Sequence, residues 1–483
     1  MPMTMVRQGI ARAPSLRVVM FTFGVAFTIV AATGIVSERA FSAPSTTKYL
    51  VTVAAGAFIS LLATVRDPAK MLVGIAVIVA PVDFVKTTAH VPVSPLLAVD
   101  FLAVLACLVR RSPEGRATVK VGAGMFALLV LPAVAGSSSP GTWTLWLVLI
   151  IVNGWLAFVI ASEDRGLSYL AVMMSVSLVF QSIIAIWEFR THHTLNLYHS
   201  STTTQGAGYF FGYGTLLRPS GTLPDPIGLG QTLALYLPIS VALLASARQL
   251  RTAAALILCV GIGGLALVLS LSRLSIFGGA VGIALALLLL PGGSTRVRTG
   301  SLVVAVVAVV ALLGVGLGGR QLDQRVQSIF HPTARHVRTA AGDIEREHIW
   351  RAAERAGAAY ALAGVGFGNI TKVLPKYGVA VTGGADAQST YLQFFAEGGI
   401  PGAVGLLVVM AAAVRDTATG WRRERLWAAG VAGSILATML TWTTDVEVRF
   451  SPIACSVAIL VGMAGALAAR AHSARGSEYV SES

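Results

Sequence analysis

Arg273 follows Ser272 in a connection of a few residues between two apolar runs, Thr252–Leu271 and Leu274–Leu290. A guanidinium at such a boundary keeps its charge and presents paired donors that match phosphate or carboxylate oxygens. The plainer alternative is an interfacial arginine that snorkels to lipid headgroups. Arg218 precedes Pro219-Ser220-Gly221-Thr222 just ahead of another apolar run, and Arg346 lies in a long polar segment, 319–387. That segment also holds Arg320, Arg325, Arg335, Arg338, Arg351, Arg355, Lys372 and Lys376 against six acidic residues. Such a surface could bind an anionic group, or it could be a solvated loop with local ion pairs. Asp445, Glu447 and Arg449 sit between the last two apolar runs, where they could close a helical bundle or touch a polar substrate.

Other chemistries find less support. Cys107, Cys259 and Cys455 all fall inside apolar runs, with neither a disulfide framework nor metal-ligand spacing. His192, His193, His199, His331 and His336 are expected to be surface residues. The glycines of Gly364-Val365-Gly366-Phe367-Gly368 follow an expected helix and not a strand, so a dinucleotide-binding loop fails on context.

The elements that must carry these residues are apolar. The chain is 55% hydrophobic and 12% charged, with a mean hydropathy of +0.76. Soluble chains carry about twice that charged share, so lipid is the expected solvent. Apolar runs predict spans near Val18–Val36, Tyr49–Val65, Met71–Val85, Val93–Val109, Val119–Gly136, Thr142–Ser162 and Leu167–Glu188. Further spans are predicted near Ile227–Ala247, Thr252–Leu271, Leu274–Leu290, Thr299–Gly318, Gln388–Val414, Leu426–Thr444 and Ser451–Ala469. The expected fold is an all-α polytopic transmembrane bundle of about 12–14 spans with a large, partly helical extracytoplasmic loop.

A net charge of +14 could suggest nucleic acid, but most cations lie in short connections and fall on one side. They include Arg7, Arg12 and Arg17, then Arg66 and Lys70, then Arg110, Arg111, Arg116 and Lys120, and finally Arg470 and Arg475. The positive-inside rule accounts for them, which puts both termini in the cytoplasm and leaves no need for a nucleic-acid partner. The organisation expected is a cytoplasmic tail at 1–17, N-terminal spans over 18–188 and a first extracytoplasmic loop at 189–226. Central spans follow over 227–318, a large extracytoplasmic loop over 319–387, C-terminal spans over 388–469 and a cytoplasmic tail at 470–483. The first span could instead be a signal peptide cleaved between Ser42 and Ala43, although its length suits a retained anchor. In the large loop, Gly342-Asp343 before Ile344 suggests a helix start, with the helix running to about Ala363 and stopping at Gly364. Trp350 lies four residues after Arg346 and shares its face.

Taken in order, several segments resemble the O-antigen ligase and O-antigen polymerase superfamily over roughly Val93 to Leu467. Asp100 in the run Pro95–Val109 is similar to an early family span, and Arg218 to Pro226 resembles the outer-loop segment with its Arg-x-Ser-Gly-Thr pattern. Ser272-Arg273 is similar to a family Ser-Arg pair, and Arg346 to Trp350 followed by Gly364 to Asn369 resembles the family's Arg…Trp helix and Gly-rich turn. Gln388-Ser389-Thr390-Tyr391-Leu392-Gln393, continuing through Ala396-Glu397-Gly398-Gly399-Ile400-Pro401-Gly402, is the most specific of the matches. One departure stands out: Gln388 occupies the position of a family histidine regarded as catalytic in ligases, and a carboxamide does not accept a proton near neutral pH.

The resemblance implies a glycosyltransferase of the cytoplasmic membrane that takes a glycan from a polyprenyl diphosphate donor to a glycan or lipid acceptor. The reaction lies on the extracytoplasmic face and uses neither cofactor nor metal. It implies Arg218, Arg273 and Arg346 as the donor-diphosphate clamp, Gln388 at the catalytic position, and Tyr391, Asp445, Glu447 and Arg449 as substrate contacts. Asp386, Glu397 and His348 remain as proton acceptors. Polymerase is placed ahead of ligase because the histidine is absent. A flippase or transporter of lipid-linked glycan, and a non-catalytic family member, are the other readings, with membrane lipids as partners throughout.

Overall fold

The computed structural model describes residues 67–82, 86–88, 91–93, 95–108, 117–192, 210–211, 216–293, 296–304, 337–379, 386–444, 446 and 451–482. The expected spans Val18–Val36 and Tyr49–Val65, most of Thr299–Gly318, the Ser42-Ala43 cleavage alternative, and Asp445, Glu447 and Arg449 lie outside the described residues. So do His193, His199, His331 and His336.

Helices dominate. They are α1 (Pro68–Val79), α2 (Pro95–Leu108), α3 (Thr118–Ala135), α4 (Pro140–Ser162), α5 (Gly166–Thr191), α6 (Pro226–Ser246) and α7 (Leu250–Leu269). Then come α8 (Arg273–Leu289), α9 (Val337–Ala359), the short α10 (Ile370–Val373), α11 (Thr390–Gly420), α12 (Arg425–Thr441) and α13 (Ser451–Glu482). Two short antiparallel pairings, Lys86–Thr88 with Val91–Val93 and Phe210–Phe211 with Leu216–Leu217, are the β structure among the described residues. Among the described residues, seven helices are long and apolar enough to cross a membrane: α3 to α7, α11 and α13. Helices α1, α2, α8 and α12 are apolar but shorter. The chain is an all-α polytopic membrane protein.

Without a hydrophobic force between helices in lipid, close packing depends on small residues. Gly278 and Gly282 of α8 meet the α12 backbone at Ala437 and Gly433, and Gly154 of α4 meets Ala458 of α13, with Gly462 against the carbonyl of Gly154. Helices α6 and α13 are surrounded almost completely. By contrast, α3 leaves Val121, Met125, Leu128 and Leu131 exposed in one stripe, the face lipid would cover. At the end of the bundle where α4 finishes, Lys70 pairs with Glu163 at 2.9 Å and Arg470 with Glu424 at 2.8 Å.

Here too the start of α3 is capped from a distant helix. Asp416 of α11, itself buried, accepts from Thr118 N at 3.0 Å and Val119 N at 2.8 Å. Those N–H groups have no partner within their own helix. Asp416→Ala is expected to lower stability by about 1–2 kcal/mol. Thermal unfolding in detergent checks this, and Asp416→Asn, which keeps one acceptor, should lose less.

The large-loop helix differs from its expected start. Helix α9 begins at Val337, so Gly342-Asp343 lies inside it. Ala340 and Ala341 are strong helix formers that carry the helix through a glycine costing about 1 kcal/mol. The regular helix ends at Ala359, and a last turn closes with Gly364 N donating to Tyr360 O at 2.7 Å.

Helix α11 is broken at Gly399 (φ 65, ψ −162), just before Pro401. Proline has no N–H to give to Glu397 O, and the Ile400 N–H turns away to Ala361 O at 2.8 Å. The freed carbonyls of Ala396 and Glu397 accept instead from Val365 N and Gly366 N, each at 3.0 Å. The Gly-rich turn after α9 thus replaces the missing helical bonds. Phe367 N donates to Ala133 O at 3.0 Å, and the Phe367 ring lies 4.9 Å from Trp143 and 5.5 Å from Phe394. Gly364, Gly366 and Gly368 all have positive φ, and a Cβ on Gly364 would lie 2.1 Å from Glu397 O.

Candidate functional site

The segment Arg218 to Pro226 is fixed by buried polar side chains of α5. Glu188 Oε2 accepts from Ser220 N at 2.8 Å and Gly221 N at 2.7 Å. The Gln181 carboxamide pairs with Thr222, whose hydroxyl also donates to Pro81 O at 3.0 Å. Position 221 requires glycine because its φ is +63 and because a Cβ there would lie 2.7 Å from Gln181 Oε1. Asp225 then caps α6, with Oδ1 accepting from Ile227 N and Gly228 N at 2.8 Å, and Pro226 fills the first helical position.

This docking delivers Arg218 to the α7–α8 turn. Its Nε donates to Ser270 O at 3.1 Å, and Arg273 opens α8 three residues later. Leu271 between them has φ 54, a strained conformation for a branched residue that the surrounding packing has to hold. Ser272 and Ser275 hydroxyls are 2.8 Å apart in the first turn. Two half-buried arginines stand at the N-terminus of a 17-residue helix, where backbone N–H groups and the helix dipole also favour negative charge.

Gln388 and Arg346 form a second group. Trp350 Nε1 donates to Gln388 O at 3.1 Å, while Gln388 N donates to Asp386 Oδ1 at 2.9 Å. Gln388 is thereby held at φ 47, and its side-chain Oε1 is buried with no hydrogen-bond partner among the described residues. Next along the chain, Thr390 N donates to Trp442 O at 2.9 Å, Tyr391 OH donates to Met439 O at 3.0 Å, and the Tyr391 and Trp442 rings meet edge to face.

Helix register relates the two groups. Gly278 packs against Ala437 and Thr441, so Arg273 stands about 7 Å further along α8, near the level where α12 ends. Arg346 lies one turn beyond Trp350, hence about 6 Å past the level of Gln388. Arg218, Arg273, Arg346, Gln388 and Tyr391 thus share one end of the bundle, opposite the Lys70–Glu163 and Arg470–Glu424 pairs.

Three expected proton acceptors separate here. His348 is exposed on α9. Glu397 is buried nine residues along α11 from Gln388 and accepts from Ile370 N at 3.2 Å, a structural role. Asp386 is half-buried and bonded to the Gln388 backbone. Residue types and spacing alone do not single out Gln181, Glu188, Gln231 and Trp442. The available signal was polarity: an ionisable or amide side chain inside an apolar run is costly in lipid unless it has a task.

Residues 254–407 match the family model described as O-antigen ligase. The match takes in Arg273, Arg346, Gln388 and Tyr391, and Arg218 and Trp442 lie outside it. A search of curated proteins finds no match.

Proposed function

We propose, from the premise that this chain belongs to the O-antigen ligase superfamily, that it polymerises lipid-linked oligosaccharide repeat units at the extracytoplasmic face of the cytoplasmic membrane. The observation that carries the reading is Arg218 bonded to the turn that ends in Arg273. The two guanidinium groups and the α8 N-terminus hold the diphosphate of a polyprenyl diphosphate donor, and Arg346 completes the clamp. The bond between the anomeric carbon and the diphosphate oxygen breaks as an acceptor hydroxyl attacks that carbon. Negative charge grows on the departing diphosphate, where the arginines stabilise it.

Gln388 accepts a hydrogen bond from the attacking hydroxyl and orients it, and Asp386 takes the proton. The polyprenyl tail runs down the apolar flank of the bundle. A glycan hydroxyl as acceptor, and so polymerisation in preference to ligation, is favoured because Gln388 replaces the family's histidine. The loops 189–226 and 319–387 lie on the same extracytoplasmic side, and both termini are cytoplasmic.

The test uses purified full-length protein in liposomes with lipid-linked oligosaccharide extracted from the producing cells. A ladder of products one repeat apart is expected on a gel. Movement of the lipid across the bilayer with no lengthening would replace this reading with transport.

A further inference from the structure

Beyond the charged clamp, two buried side chains and the half-buried Gln388, near the same end of the bundle, hold buried polar atoms that nothing among the described residues satisfies. Gln231 of α6 is 4% exposed, and neither its Nε2 nor its Oε1 has a hydrogen-bond partner. Trp442 is 1% exposed with its indole N–H unpartnered, and Gln388 Oε1 is the third. Buried polar groups are almost always paired, more so in lipid, where water is scarce. Many other buried hydroxyls in this core are paired, as at Ser175, Ser182, Thr417, Ser434 and Ser456, although those of Ser137, Ser177, Thr232 and Thr299 also lack a partner among the described residues. Gln231 differs from them in leaving both a donor and an acceptor open.

Register places Gln231 close to the site. Its neighbour Gly230 packs on Ser270 and Ser275, at the turn that holds both arginines. One turn further along α6, Leu235 O accepts from Ser434 Oγ of α12. Gln231 therefore lies on the stripe of α6 that faces the seam of α8 and α12. Counting up α12 from Ser434, Thr438 is level with Gln231 and Trp442 stands one turn beyond, with its carbonyl on Thr390 beside Gln388.

We propose that Gln231 and Trp442 are substrate-positioning residues that hydrogen-bond the hydroxyls of the sugar attached to the donor diphosphate, beside Gln388, which holds the attacking hydroxyl. The inference rests on the glycosyltransferase reading above and adds the residues that select the sugar. The chemistry distinguishes the sugar from the phosphates. A phosphate accepts only, so donors alone would suffice for it. The two side chains supply both kinds of site: donor and acceptor on Gln231 and donor on Trp442. Sugar hydroxyls donate and accept together. A site whose buried groups wait for hydroxyls also discriminates strongly against a ligand that lacks them.

The experiment measures binding of two probes to the full-length protein in nanodiscs: polyprenyl diphosphate alone, and lipid-linked oligosaccharide extracted from the producing cells. Wild type is expected to bind the sugar-bearing lipid about 10- to 100-fold more tightly. Gln231→Leu, which matches the side chain in bulk, should erase most of that increment and leave diphosphate binding unchanged. Its thermal stability should hold or rise, because an unsatisfied buried amide is removed. Trp442→Phe keeps the ring against Tyr391 and removes only the N–H, and it should lose part of the increment even if the Gln231 variant does not fold. Equal binding of both probes by wild type, or an undiminished increment in a folded variant of either residue, overturns the proposal and spares the enzyme reading. Failure of wild type to bind either probe overturns the enzyme reading and this inference with it.

Discussion

Replacing Arg273 with alanine is expected to slow the proposed repeat-unit transfer by about 10²–10³-fold, the loss seen when a donor aimed at developing negative charge is removed. The effect should be large because the arginine stands at the first position of α8, where backbone N–H groups and the helix dipole already favour an anion. In the proposed reaction the leaving diphosphate carries more charge in the transition state than in the bound donor, so the loss should fall on kcat more than on KM. Arg273→Lys keeps a charge but not the two-pronged donor geometry and should give an intermediate rate. Arg218→Ala should behave similarly, and the double variant should cost less than the two single losses combined if, as proposed, the two groups act on one diphosphate. Product ladders from reconstituted protein measure all of these. Full-length ladders at wild-type rate from Arg273→Ala would remove the clamp.

Gly399→Ala should have the largest effect on the fold. The position has φ 65 and ψ −162, a backbone region that is essentially glycine's alone. A Cβ there would lie 2.5 Å from Ala361 O and 2.8 Å from Gly364 N, and both are backbone atoms that cannot step aside. Relief requires parting the Ile400 N–H from Ala361 O, and with it the exchange that binds the Gly-rich turn to α11. The expected cost is about 3–4 kcal/mol from strain and lost hydrogen bonds. Because α9 carries Trp350 to Gln388, activity should fall together with stability. Gly124→Ala is the control: it lies mid-helix in α3 with open space around its Cβ and should be neutral or slightly stabilising. Thermal inactivation of the three proteins in detergent separates the cases. Equal half-lives for wild type and Gly399→Ala would mean that the break does not hold the loop.

Much of the protein was legible in its residues one segment at a time. Apolar runs identified the membrane helices, because partition into lipid is a property of each stretch by itself. The apolar run from Ile227 marked α6 to within a residue of its start at Pro226. Glycines after α9 signalled a turn, and the order of motifs pointed to the family.

What stayed hidden was which faces meet. Helix α6 and the stretch of α13 up to Ala469 are apolar nearly all round, so their pattern has no polar side to say which stripe turns inward. In lipid, small residues and register decide the neighbours, as in the fit of Gly278 and Gly282 against Ala437 and Gly433. Those contacts bring Arg218 to Ser270, Trp350 to the Gln388 carbonyl, and Gln231 to the seam below Trp442. The residues lie far apart in the chain, and only tertiary packing supplies the register that gathers them at one end of the bundle.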